Sequence, residues 1–307
     1  MNGHHGVSTN IRALRISAVL ILIYFVLEIA IALSTGSLAL LADAGHELST
    51  FLAIGVSLVA IQLATRRPTA QRTFGLLRVE ILAALFNGVL LLAMAGFIIF
   101  RGIERLQNPM EVPSLPMFIM AVGGIGLEIA SLFIMYKGQK ESLNIRGSFW
   151  HVMNAFLGSI AVIIAATFIS LWEIYVADAW AGILFAVILV WAAYGIIRDS
   201  FMILVDATPK EIDLAQVERE LLAIPGVVDA HHFHARTVTG HIRTFSGHLV
   251  VRDFRDAESV LRKGKQILDE KYKFSLSTIQ IEDESIAEAD ARELEYRESD
   301  ERGTTFS

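Results

Sequence analysis

The chain has 307 residues, is 54% hydrophobic with a mean hydropathy of +0.53, carries only 19% charged side chains, and has a net charge of −6. That balance excludes an ordinary soluble enzyme, in which about 25% of residues are charged, and a general nucleic-acid binder, which needs a basic surface. With no cysteine in the chain, any metal must be held by imidazole, carboxylate or carbonyl groups.

Six apolar stretches, each long enough to cross a bilayer, are predicted at 13–34, 37–64, 79–101, 115–136, 150–171 and 177–198. Five of the six prolines lie outside these spans, and Pro116 opens one, as uninterrupted helices require. Lys and Arg in the short loops set the orientation. With the N-terminus inside, the inner face carries Arg12, Arg15, Arg66, Arg67, Arg72, Arg78, Lys137, Lys140 and Arg146, and the outer face only Arg101 and Arg105. Both termini are then cytoplasmic.

The charge is uneven. Residues 1–208 hold 12 acidic and 12 basic side chains, whereas 282–307 hold ten acids against three arginines. The polar third reads as helix 210–223, strand 226–237, strand 242–252, helix 255–272 and strand 276–282, an αββαβ domain of the split βαβ, ferredoxin-like kind. The expected division is a cytoplasmic tail at 1–12, a six-helix transmembrane bundle at 13–206, a cytoplasmic metallochaperone-like α+β domain at 207–283 and an acidic tail at 284–307.

A charge at mid-membrane costs at least about 2.5–3.5 kcal/mol on insertion scales, so each one asks for a function. The spans contain Glu28, Asp43, His46, Glu47, Glu80, Glu128, His151 and, near one edge, Asp178. Helix-end positions or local pairing explain Glu80 and Asp178 more simply than a ligand role; for Glu28 and Glu128 both readings stand. Asp43, His46 and Thr50 share one face of the second span at i, i+3 and i+7, and His151 and Asn154 share a face of the fifth. Nitrogen and oxygen ligands on facing helices suit a borderline divalent ion such as Zn²⁺ or a proton relay.

The polar domain holds five of the nine histidines: His231, His232, His234, His241 and His248. His231 and His248 fall on adjacent strands and Glu282 ends the third; with His234 they form a possible cytoplasmic metal set, and solvent-facing strand histidines are the alternative. Gly124-Ile125-Gly126 lacks the third glycine of a dinucleotide loop and reads better as helix packing.

These residues resemble the cation diffusion facilitator family, six-helix metal–proton antiporters, over nearly the whole chain. The motifs are Gly36-Ser-Leu-Ala-Leu-Leu-Ala-Asp-Ala-Gly-His46, Arg72-Thr-Phe-Gly75 with Glu80-Ile-Leu-Ala-Ala-Leu-Phe-Asn87, Ser142-Leu-Asn-Ile-Arg-Gly147, Leu157-Gly-Ser159, Pro225-Gly-Val-Val-Asp-Ala-His231 and Thr278-Ile-Gln-Ile-Glu282. The resemblance implies no enzyme activity, no organic cofactor and no nucleic-acid partner. It implies efflux of a divalent metal, zinc by default, against protons, by a homodimer in a bacterial cytoplasmic membrane. Its transport site is similar to two HxxxD pairs, of which His46 and His151 are present while Thr50 and Ala155 stand in the aspartate positions. Glu128 replaces an asparagine, Leu276 a common histidine and Arg236 a common tryptophan.

Without the two carboxylates, a +2 ion between imidazoles and a hydroxyl stays largely uncompensated in low dielectric. Asp43, one turn from His46, is the best substitute, and Glu47, about 100° away around the helix, the second. The expectation is a divergent antiporter using His46 and His151 with Asp43, Asn154 and Thr50. The alternatives are a non-transporting relative that senses metal or partners another subunit, and a site-disabled variant.

Overall fold

The computed structural model describes residues 4–64, 69–138, 143–239 and 242–283. The acidic tail expected at 284–307 lies outside the described residues, as does His241. The chain divides into two compact units, Met1–Arg198 and Asp199–Ser307.

Six long helices make up the first part: α1 (His4–Thr35), α2 (Leu38–Ala64), α3 (Arg78–Gln107), α4 (Ser114–Gly138), α5 (Leu143–Trp172) and α6 (Val176–Leu204). All six expected spans are present, and α1, α3, α5 and α6 overrun them by at least a full helical turn. α1 begins at His4 rather than 13, α3 runs to Gln107 rather than 101, α5 begins at Leu143 rather than 150, and α6 runs to Leu204 rather than 198. The apolar run marks the thickness of hydrocarbon, whereas a helix continues into the polar zone until a backbone signal stops it. For α3 that stop is Asn108, whose N–H bonds to the Glu104 carbonyl, followed by Pro109. Among the described residues, α3, Ala155–Trp172 of α5 and α6 are by themselves long and apolar enough to cross a membrane.

The outward faces of these helices carry large apolar side chains, among them Leu27, Phe86, Phe100, Phe133, Leu184 and Trp191, as a surface solvated by lipid requires. The inward faces are built from small residues. Ala42, Ala95, Ala186 and Ala193 pack with Leu91, Ile98, Phe185 and Leu189 where α2, α3 and α6 meet. Ala32, Ala39, Ala121, Ala165 and Ala166 pack with Leu40, Met117, Met120 and Val162 among α1, α2, α4 and α5. Small side chains let the backbones approach, which is how helices gain contact in lipid. The close packing leaves little room, so the few polar groups inside it are held in fixed positions.

The second part contains α7 (Leu214–Leu222), β1 (Val227–Thr239), β2 (Ile242–Val251), α8 (Ala257–Glu270) and β3 (Leu276–Glu282), with a 3-10 turn at Phe254–Asp256 leading into α8. Asp213 caps α7 by accepting from the Gln216 N–H at 3.2 Å. The sheet order is β1-β2-β3, with β1 and β2 antiparallel and β2 and β3 parallel. The β2–α8–β3 crossover therefore joins direct neighbours, so this βαβ unit is not of the split kind expected from sequence, which would place a strand between them. Val217 and Leu221 of α7 and Val260 and Leu268 of α8 pack on Ala230, Phe233, Ala235, Phe245, Leu249 and Val251 of the sheet. That packing covers one face of the sheet; the other carries the polar residues of β1, β2 and β3.

Candidate functional site

In the membrane unit the site rests on how α2 begins. Asp178 of α6, fully buried, accepts from the Ser37 hydroxyl at 2.5 Å and from the Leu38 and Ala39 N–H groups at 2.8 and 3.1 Å. The Ser37 oxygen in turn accepts from the Leu40 N–H at 3.1 Å. The orphan N–H groups of α2 are thus satisfied by a carboxylate from another helix. Arg105 of α3, also buried, approaches the same carboxylate at 3.7 Å. Asp178 is a structural tie, the simpler of its two readings. Glu80 lies in the first turn of α3, where a carboxylate favours the helix dipole.

Two turns into α2 the interior becomes polar. Asp43 and His46 are both buried, Asp43 to 2% exposure. The Ser159 hydroxyl of α5 lies 3.0 Å from Glu128 Oε1 on α4 and 3.4 Å from Asp43 Oδ2. Glu28 of α1 is fully buried, with its carboxyl against that of Asp43 and near those of Glu47 and Glu128. Four carboxylates from α1, α2 and α4 therefore share one interior region. Two glycines make the approach possible. A Cβ on Gly158 of α5 would sit 3.0 Å from Asp43 Oδ1 and 2.6 Å from the Phe185 ring, and one on Gly124 of α4 would sit 2.3 Å from the Tyr24 hydroxyl. Gly124 is therefore a packing glycine, while Gly126 faces open space.

Of the membrane residues expected from sequence, Asp43 and His46 lie together on the buried face of α2, with the His46 ring 6.1 Å from that of Phe185. Thr50 donates its hydroxyl to the His46 carbonyl at 3.1 Å, a local bond within the helix. His151 and Asn154 belong to α5, but their side chains lie outside the described residues. Ala155 is buried at 5% exposure and offers no ligand atom. Sequence reasoning singled out Glu28 and Glu128 only as costly positions. Their convergence with Asp43 depends on which faces of α1 and α4 turn inward.

The cytoplasmic unit holds a second cluster, on the face of the sheet turned away from α7 and α8. His231 pairs with His248 across β1 and β2 in register, and their ring centroids lie 5.3 Å apart. The β1–β2 register shifts between His231 and His234, and His232 takes a φ of +55°. This bulge keeps His232 beside His231 rather than letting it alternate into the core. Its ring sits 4.9 Å from that of His231 and 5.1 Å from that of His248. One ligand nitrogen from each of the three lies within 4.8 Å of the others. Glu282, fully buried at the end of β3, places Oε1 2.6 Å from His248 Nδ1 and Oε2 3.5 Å from His231 Nε2. Gln280 donates to the same carboxylate at 2.7 Å, and Asp229 lies 3.4 Å from His231 Nδ1.

Three imidazoles and a carboxylate are the donor set of a tetrahedral zinc site, with bonds of about 2.0–2.2 Å. Two points differ from the sequence expectation. His232, which was not among the expected ligands, belongs to the group; strand alternation hid it, and only the bulge brings it in. His234 falls past the bulge, opposite Ser246, and is exposed, with no ring contact to the other three among the described residues.

Comparison with known proteins agrees with both halves. Residues 14–205 match the cation efflux transmembrane domain family, and residues 209–284 match the cation efflux protein cytoplasmic domain family. The chain belongs to the cation diffusion facilitator family. Among its relatives, the cadmium, cobalt and zinc/H(+)-K(+) antiporter of Bacillus subtilis is 35% identical over 290 residues, covering 93% of each chain. The metal cation efflux system protein CzcD of Cupriavidus metallidurans is 34% identical, covering 94% of this chain and 92% of its own. The zinc transporter ZitB of Pectobacterium atrosepticum is 32% identical over 92% of this chain and 88% of its own. The chain is an integral membrane protein of a bacterial metal-efflux family of transporters, not of enzymes.

Proposed function

We propose that this chain exports a divalent metal cation from the cytoplasm in exchange for protons, with zinc as its first substrate. The observation that carries the reading is the burial of Asp43 beside His46 on one face of α2, inside an otherwise apolar bundle. The transport site consists of His46 and His151 with Asp43, Asn154 and Thr50. Imidazoles, whose unperturbed pKa is about 6.5, load and release protons near neutral pH. Proton exchange also limits the net charge moved against the potential, worth about 2.3 kcal/mol per charge per 100 mV. The names of the relatives, which carry zinc, cadmium, cobalt and protons, support the substrate class.

In this reading residues 1–12 form a cytoplasmic tail, 13–206 the transmembrane domain, 207–283 the cytoplasmic domain and 284–307 an acidic tail. Both termini face the cytoplasm and the membrane is the bacterial inner one. The protein works as a homodimer, and His231, His232, His248 and Glu282 hold a metal ion in each cytoplasmic domain. Reconstituted in proteoliposomes with a proton gradient, the chain should move Zn²⁺, and His46→Ala should abolish the movement; flux untouched by that change removes His46 from the site.

Thr50 and Ala155, standing where two aspartates would neutralise the ion, favour a second reading: a metal-binding relative that does not transport. It predicts no flux from the parent chain and flux from Thr50→Asp with Ala155→Asp.

A further inference from the structure

We propose that Glu28, Asp43 and Glu128, with the Ser159 hydroxyl, form an intramembrane cation site of oxygen ligands, suited to a hard divalent cation of the Mn²⁺ class. The proposal deepens the exporter reading and rests on it for the path the ion takes, though not for the binding itself.

Three carboxylates from three helices are buried here, at 0%, 2% and 8% exposure. Ionised carboxylates in such a place need donors or cations to offset the loss of water. The described donor is the Ser159 hydroxyl, which has one hydrogen and two carboxylates within reach, at 3.0 and 3.4 Å. Glu28, from a different helix, brings its carboxyl against that of Asp43, and no N–H or hydroxyl donor reaches either of its oxygens, Asp43 Oδ1 or Glu128 Oε2 among the described residues. Nor does a Lys or Arg pair with any of the three among those residues, the buried guanidinium of Arg105 being turned to Asp178. A set of carboxylate and hydroxyl oxygens with unused lone pairs fits a cation, and oxygen donors favour Mg²⁺, Ca²⁺ or Mn²⁺ over softer ions.

The site also lies to one side of the positions that lack aspartates. Seven residues separate Asp43 from Thr50 on α2, about 10 Å of helix, and four separate Ser159 from Ala155 on α5, about 6 Å. α2 and α5 cross the membrane in opposite directions, so a shift toward the N-terminus of one and the C-terminus of the other moves toward the same membrane face. Of the three carboxylates, Glu128 is the one that departs from the family pattern, standing where the family has an asparagine.

The test uses the full-length chain in lipid nanodiscs, carrying His231→Ala, His232→Ala and His248→Ala to silence the cytoplasmic cluster, with Mn²⁺ as the calorimetric probe. Binding should remain in that background. Glu28→Gln, Asp43→Asn and Glu128→Gln should each weaken it at least about tenfold while leaving the unfolding temperature unchanged or raised, since each removes one of several crowded like charges. Mn²⁺ binding as tight as the background in Glu28→Gln and Glu128→Gln overturns the site, as does loss of all binding with the cytoplasmic histidines. A lowered unfolding temperature with unchanged affinity also overturns it, by showing the carboxylates to be structural. Failure of the exporter reading looks different: a parent chain that binds Mn²⁺ through these carboxylates but moves no metal under a proton gradient. The converse, export at the parent rate by all three amide variants, leaves the exporter standing and removes the site.

Discussion

The chain carries two clusters able to hold metal, and they are built on opposite principles. In the cytoplasmic unit, three mostly buried imidazoles gather on one face of a three-stranded sheet, with a single carboxylate behind them. In the membrane unit, carboxylates dominate and are fully enclosed by helices. A neutral imidazole brings no charge to be desolvated, so the cytoplasmic cluster is less costly to leave empty than a group of ionised carboxylates. A group of buried carboxylates is costly to leave ionised and empty, so its occupancy by cation or proton is tied to its energy. The first arrangement suits retention of a borderline ion such as zinc, and the second suits exchange.

The comparison can be broken most sharply through the frame of the membrane unit. Asp178→Ala removes the cap of α2 and leaves Arg105 buried without its counter-charge; loss of one member of a buried pair costs about 3–5 kcal/mol, to be read as a lowered unfolding temperature in detergent. A chain as stable as the parent would mean that the buried charges there do not hold the frame. In the cytoplasmic cluster, His232→Ala should lower Zn²⁺ affinity about 10–100-fold, the range that ligand-shell changes produce, while His234→Ala should leave it unaltered in calorimetry of the full chain. Equal effects from the two would dissolve the bulge-built triad.

A smaller effect sharpens the steric side. Gly124→Ala puts a methyl group 2.3 Å from the Tyr24 hydroxyl and 3.2 Å from Ser159 Oγ, and overpacking of this kind costs about 1–3 kcal/mol. Gly126→Ala, facing open space, should cost none. The smallest effect concerns pH. Burial raises the Tyr272 phenol from 10.0 to about 12, with nearby Glu220 adding to the rise. A raised acid pKa means the folded state favours the neutral phenol, so its contribution to stability is complete below pH 10 and fades as pH climbs toward about 12. Hydrogen exchange of β1–β3 in the full chain should show protection declining over that interval, and Tyr272→Phe should flatten the decline.

Much of this architecture was legible because lipid imposes a coarse and unambiguous pattern. Six apolar runs appear as α1 to α6, and the strand at 276–282 coincides with β3. The ends of α3, α5 and α6 were not legible, since hydropathy reports where the hydrocarbon stops rather than where the backbone leaves the helix. The pairing of Asp43 with His46 could be read from a spacing of three on one helix. The approach of Glu28 and Glu128 could not, because nothing local says which way α1 and α4 are rotated about their axes. His232 was lost for a related reason: period-two alternation sends it to the core, and one residue at positive φ overrides the pattern.

The tie at Asp178 has a kinematic consequence. Three hydrogen bonds and a guanidinium fix the N-terminal end of α2 to α6 and α3, so that end behaves as a pivot rather than a sliding bearing. Any change of access that involves α2 must then be a swing of its free end, or a movement of α1, α4 and α5 around a stationary post. Asp43, five residues from the pivot, travels little in either case. His46 and Thr50, farther along the lever, travel progressively more.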